Sequence, residues 1–198
     1  MTKRVACIGD SLTWGFTLVD PWRESYPAVL QEKLRAKLGA EYEVRNFGCN
    51  GASVRADSYS PYTDTPAFRS SLAWAPDIVL MMLGSNDCRA QEWNPDAFCR
   101  DYVHIVTAYQ ALPSAPRIIL VAPIRMFRVM GFTFMDLSPE TLEHGVRPAI
   151  QTIATDLGLE CLNLRDVIPD SRYCYDGVHP QAEGTRLVAE AIFERVEW

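Results

Sequence analysis

No apolar run in this 198-residue chain approaches the roughly 20 residues of a membrane-spanning helix. The longest, Ile78 to Leu83 and Ile118 to Ala122, are the size of β-strands, so no membrane insertion is expected. The apolar stretch after Lys3 and Arg4 stops at Gly9, too short for the core of an export signal, and a soluble cytoplasmic protein is the expectation. An excess of positive charge is missing as well. With 19 basic against 25 acidic side chains the net charge is −6, which gives nucleic acid no electrostatic reason to bind. The six cysteines (Cys7, Cys49, Cys88, Cys99, Cys161 and Cys174) form no C-x-x-C pair and no short Cys/His spacing, so no metal is expected. They read as free thiols, with Cys7 and Cys161 expected in central strands. Neither G-x-G-x-x-G nor G-x-x-x-x-G-K-[ST] occurs, which disfavours nucleotide binding.

What is present is a globular composition, 48% hydrophobic and 22% charged, expected to fold as one domain over residues 1–198. Short aliphatic runs alternate with longer segments of helical period, the pattern of a parallel sheet covered by helices. The expected strands are Arg4 to Ile8, Tyr42 to Asn46, Ile78 to Leu83, Arg117 to Ala122 and Glu160 to Leu164. Tyr102, Ile105, Val106 and Tyr109 mark one amphipathic helix, and Val146, Ala149, Ile150, Ile153 and Leu157 another. A final helix follows Pro180. Asn94-Pro95 and Ser138-Pro139 have the form of helix starts. Residues 57–65 and 125–137 read as irregular loops of the kind that shape binding sites.

In an open α/β sheet, ligands bind beyond the carboxyl ends of the strands. The first expected strand runs into Gly9-Asp10-Ser11-Leu12, the second into Phe47-Gly48-Cys49-Asn50-Gly51, and the third into Gly84-Ser85-Asn86-Asp87. Asp176-Gly177-Val178-His179-Pro180 precedes the last helix. Together they supply a hydroxyl, an imidazole, a carboxylate and oxyanion donors, the inventory of acyl transfer. A serine needs a base, and of three histidines only His179 falls on an expected loop; His104 and His144 fall in helices. Asp176, three residues earlier, is placed to orient the imidazole. The oxyanion is assigned to the backbone N–H of Ser11, the backbone N–H of Gly51 and the side-chain amide of Asn86, with Gly51 allowing close approach of the main chain. Singly, each motif also reads as a turn or a helix cap, and Asp-x-x-His as two metal ligands. In this order, each at a strand end or loop, they favour an enzyme. Thr13 stands where the G-x-S-x-G elbow has its second glycine, so an ordinary α/β-hydrolase is disfavoured.

At these residues the sequence resembles the SGNH (GDSL) hydrolases, whose four blocks supply a Ser, a Gly, an Asn and a His, matched by Ser11, Gly51, Asn86 and His179. The resemblance implies a three-layer α/β/α sandwich with a five-stranded parallel sheet, flavodoxin-like in form, and a triad completed by Asp176. It implies a serine esterase that needs no cofactor. Ser25-Tyr26-Pro27-Ala28, Asn46-Phe47-Gly48, Pro76-Asp77-Ile78-Val79 and Tyr109-Gln110-Ala111-Leu112-Pro113 resemble bacterial sialate or other carbohydrate O-acetylesterases, so acetylated sugar is the expected substrate. The alternatives are an arylesterase or acyltransferase, a lysophospholipase or thioesterase of the same superfamily, and a non-catalytic carbohydrate-binding module. Substrate contacts are expected from Asp10, Trp14, Tyr62, Arg125 and Met126, with Phe16 among the side chains that narrow an acyl pocket. Arg125 marks a departure, since the sugar-esterase-like members have a proline run there.

Overall fold

The computed structural model describes residues 2–198. Five strands, β1 (Lys3–Gly9), β2 (Tyr42–Gly48), β3 (Ile78–Met82), β4 (Arg117–Ala122) and β5 (Glu160–Asn163), form one sheet in the order β2-β1-β3-β4-β5. Every pairing is parallel, with Val5 opposite both Val44 and Ile78. These are the five strands expected from the sequence, shifted by one or two residues at some ends. The three inner strands are almost wholly buried, which explains why they read as unbroken aliphatic runs rather than alternating ones.

A short turn of helix, α1 (Ser11–Trp14), follows β1, then α2 (Pro21–Glu24) and α3 (Tyr26–Leu38). α4 (Pro66–Ala73) joins β2 to β3 and α5 (Pro95–Gln110) joins β3 to β4. α6 (Pro139–Thr141), a π-helical turn at Leu142–Val146 and α7 (Arg147–Leu157) lead to β5, and α8 (Ala182–Arg195) closes the chain. Right-handed crossovers put α3 on one face, because β1 to β2 runs one way along the sheet, and α4, α5 and α7 on the other, because the remaining connections run the opposite way. α8 packs on α3, completing the second helical layer. The three-layer α/β/α sandwich is therefore the observed fold.

Asn94 caps α5 by accepting from the Ala97 N–H at 3.1 Å, and Ser138 caps α6 by accepting from the Thr141 N–H at 3.0 Å. One cysteine expectation is corrected. Cys7 is buried in β1, but Cys161 lies on β5, which is an edge strand, and is only partly buried. Among the described residues no helix is long and apolar enough to cross a membrane.

Candidate active site

The chain turns back on itself between β1 and β3: from β1 the sheet grows towards β2, and from β3 towards β4 and β5. Reversal opens a crevice at the carboxyl ends of these two strands. Ser11 follows β1 there and Asn86 follows β3. Asp10 caps α1 by accepting from the Leu12 N–H at 2.9 Å, which leaves Ser11 as its first residue. The Ser11 N–H is then among the donors that a first turn leaves without an intrahelical acceptor.

His179 reaches Ser11 across 168 residues of sequence. Its Nε2 stands 2.9 Å from the Ser11 Oγ, and its Nδ1 stands 2.6 Å from Asp176 Oδ2. The other carboxylate oxygen of Asp176 accepts from the backbone N–H groups of Val178 and His179 at 2.9 and 2.8 Å. Burial alone would raise the Asp176 carboxyl, but the His179 ring and those two N–H groups outweigh it and hold it below the usual carboxylate value. The turn depends on Gly177, whose φ of +84° suits glycine and whose Cβ would stand 2.2 Å from the Phe127 carbonyl oxygen. The imidazole itself is 3% exposed, so its proton has few outlets other than the two partners.

Asn86 and Gly51 come together on a second arc. The Asn86 side-chain nitrogen donates to the Ala52 carbonyl at 3.0 Å, which uses one N–H and leaves one. Gly51 has a φ of +76° and open space where a Cβ would point, so the backbone conformation, rather than the close approach expected from the sequence, calls for glycine. Both residues line a cleft of about 930 Å³. Asp87 locks this arrangement: its buried carboxyl accepts from the backbone N–H groups of Val54 and Arg55 at 2.9 and 3.1 Å. Burial pushes Asp87 up to about 6, and burial does the same to Asp10. The role of Asp87 was not read from the sequence, because its partners are main-chain groups more than 30 residues away.

The structure changes the expected set of substrate contacts. Tyr62 is completely buried and donates to the Phe47 carbonyl at 2.8 Å, so it braces β2 and is withdrawn from that set. Asp10 is likewise fully buried and serves as a helix cap. Arg125 turns towards β5, donating to the Arg165 carbonyl and pairing with Asp166. Met126 is buried with its sulfur 3.8 Å from the Cys88 sulfur. These last two line a separate cleft of about 310 Å³. Trp14 stacks edge-on against Trp22, 5.6 Å away, rather than on the imidazole. The rings that flank His179 are Phe16, at 4.8 Å, and Phe134, at 5.0 Å. Phe134 was missed as an individual residue, although it lies within the 125–137 loop. Among the described residues no group of three or more His, Cys, Asp or Glu is arranged to hold a metal ion.

The profile of the GDSL-like Lipase/Acylhydrolase family matches residues 7–187. An acetylxylan esterase of Xylanibacter ruminicola is 29% identical over 209 residues, covering 96% of this chain and 42% of that protein. The chain thus spans less than half the length of this relative. A carbohydrate acetylesterase family member from Sinorhizobium meliloti superposes with a TM-score of 0.77 at 24% identity, covering 98% of this chain and 96% of the other. The M. smegmatis aryl esterase gives a TM-score of 0.74 at 21% identity, with 98% of both chains covered. Identities this low carry the likeness of fold alone.

Proposed function

This chain belongs to the GDSL-like Lipase/Acylhydrolase family, and from that premise we propose that it is a serine esterase that removes acetyl groups from O-acetylated carbohydrate. One observation carries the reading: the Ser11 hydroxyl, the His179 ring and the Asp176 carboxylate stand in one hydrogen-bonded line, 2.9 and 2.6 Å long. A serine is a weak nucleophile until a base takes its proton, and this line supplies both the base and the group that orients it.

In the proposed reaction His179 Nε2 takes the Ser11 proton as Oγ attacks the ester carbonyl carbon. The tetrahedral oxyanion is held by the N–H of Ser11, the N–H of Gly51 and the free N–H of Asn86. Protonated His179 returns the proton to the departing sugar oxygen, leaving an acyl-serine. Water, deprotonated by the same ring, then releases acetate and restores the hydroxyl. Asp176 stays ionised throughout and balances the imidazolium, which accords with its lowered carboxyl value. The rings of Phe16 and Phe134 beside the imidazole favour a small acyl group. The relative similar in sequence over 96% of this chain is an acetylxylan esterase, which supports the choice of substrate class.

Purified Ser11→Ala is expected to lose acetate release by a factor of about 10³ to 10⁶ and to escape labelling by a fluorophosphonate. Undiminished turnover in this variant removes the proposal. A panel of acetyl-sugars, p-nitrophenyl esters of rising chain length, lysophospholipid and acyl thioesters decides the substrate, and preference for long acyl chains contradicts the acetyl assignment.

A further inference from the structure

The cleft that starts at Gly51 and Asn86 is much larger than an acetyl group requires. Its volume of about 930 Å³ lies near the top of the roughly 300–1,000 Å³ found for small-molecule sites. One wall comes from residues 50–60 and the other from residues 86–94. Uncharged hydrogen-bonding side chains dominate both: Asn50, Ser60, Gln91 and Asn94, the last using only its oxygen to cap α5.

The charges lining the cleft do not favour an anion. Two arginines face three carboxyls there; Arg55 is tied to Asp57 at 2.7 Å, and Arg89 donates to the Asn86 carbonyl at 3.0 Å. Nor is there a continuous apolar wall for a long acyl chain. Two aromatic rings and Met135 complete the lining. Trp93 is half-buried, wedged against Gly145 and 5.1 Å from Phe98. Tyr59 stands fully exposed at the rim, with a relative accessibility of 106%. A flat apolar face beside amides and hydroxyls matches a pyranose ring, which is apolar on its C–H faces and polar around its edge.

We infer that this cleft holds a run of uncharged sugar units continuing from the acetylated one, with Tyr59 as a stacking platform and Gln91 and Asn94 as hydrogen-bonding partners. The substrate is then an acetylated oligo- or polysaccharide rather than a single sugar or an aryl ester. This inference rests on the esterase reading for the position of the acetyl group, while the cleft's affinity for sugar can be measured without catalysis.

The test has two arms. In the first, the Ser11→Ala variant of this chain is titrated calorimetrically with unacetylated xylo-, manno- and cello-pentaose. At least one is expected to bind, with affinity lowered about tenfold by adding Tyr59→Ala and retained with Tyr59→Phe. Tyr59 is wholly exposed, so its removal leaves the fold intact. In the second arm, Tyr59→Ala and Gln91→Ala in the otherwise native chain are expected to lower kcat/KM about tenfold for an acetylated pentasaccharide and to leave p-nitrophenyl acetate within twofold. Failure of all three pentaoses to bind overturns the inference. So does equal kcat/KM for acetylated monosaccharide and pentasaccharide. Full turnover by Ser11→Ala would instead overturn the catalytic reading, and the binding arm would still decide this one.

Discussion

Two residues meet His179 at very different chain separations, Asp176 from three residues away and Ser11 from 168. The near contact can be tested on its own. Asp176→Asn keeps an oxygen for the Val178 and His179 N–H groups, so the turn survives. The amide no longer offers a charged acceptor to Nδ1 and favours the wrong imidazole tautomer. A fall in kcat of about 10³ to 10⁴ with an unchanged circular dichroism spectrum is expected. Asn86→Ala removes one donor of the proposed oxyanion site, and steady-state kinetics should show kcat down by about 10² to 10³. A loss confined to KM would place Asn86 in ground-state binding instead.

Among the elements, the loop after β4 departs furthest from what composition suggests. Val129 and Phe132 exchange backbone hydrogen bonds of 2.9 and 3.0 Å around Met130 and Gly131, forming a tight two-residue turn. Both central residues have positive φ, +51° and +84°, the requirement of a type I′ hairpin, in which Asn-Gly is the favoured pair. Met130 is also almost fully exposed. Met130→Asn is therefore expected to raise the unfolding free energy by about 0.5–1 kcal/mol in urea titration. No change or a loss would show that the methionine makes a contact that outweighs its backbone strain. The helix starts at Asn94 and Ser138 were legible because a cap is a local affair, settled within four residues. α4 opens on the same form, Thr65 accepting from the Phe68 N–H at 3.1 Å ahead of Pro66, but it was missed at the end of a stretch that reads as an irregular loop, and neither α3 nor the π-helical turn was expected. α3 carries its buried Leu30 and Leu34 among charged neighbours and is held largely by β2 and α8.

For the molecule as a whole, Asp10 and Asp87 set the pH response. Each has a folded-state value of about 6 against an ordinary 3.8, burial being the main cause in both. Between about pH 4 and 6 the folded chain binds more protons at these sites than the unfolded chain does. Their contribution is then most favourable at pH 4 and declines as pH rises to about 6. Asp176 and Glu160 are held low and act in the opposite sense, losing their contribution as pH falls below about 4. Stability is thus expected to decline from pH 4.5 to 6.5. The slope should be shallower in Asp10→Asn, which retains a capping side chain. Parallel slopes for the two proteins, measured by urea unfolding at constant ionic strength, would contradict this account.

The five strands, the class of fold and the candidate residues Ser11, Gly51, Asn86, Asp176 and His179 at strand ends and in the last loop were readable along the chain, whereas the helices between β1 and β3 were not. Hydrophobic period and strand-end motifs are local properties, and a parallel sheet gathers strand ends at one edge by its own geometry. Which side chains face the ligand was not readable in this way. Tyr62 and Met126 carry side chains that suit either a pocket or a core, and only packing against β2 in the first case and Cys88 in the second assigned them inward. Phe134, Asp87 and the cleft from Gly51 to Trp93 likewise depend on segments brought together from distant parts of the sequence. Burial and direction are properties of such assembled neighbours, so tertiary structure decided them.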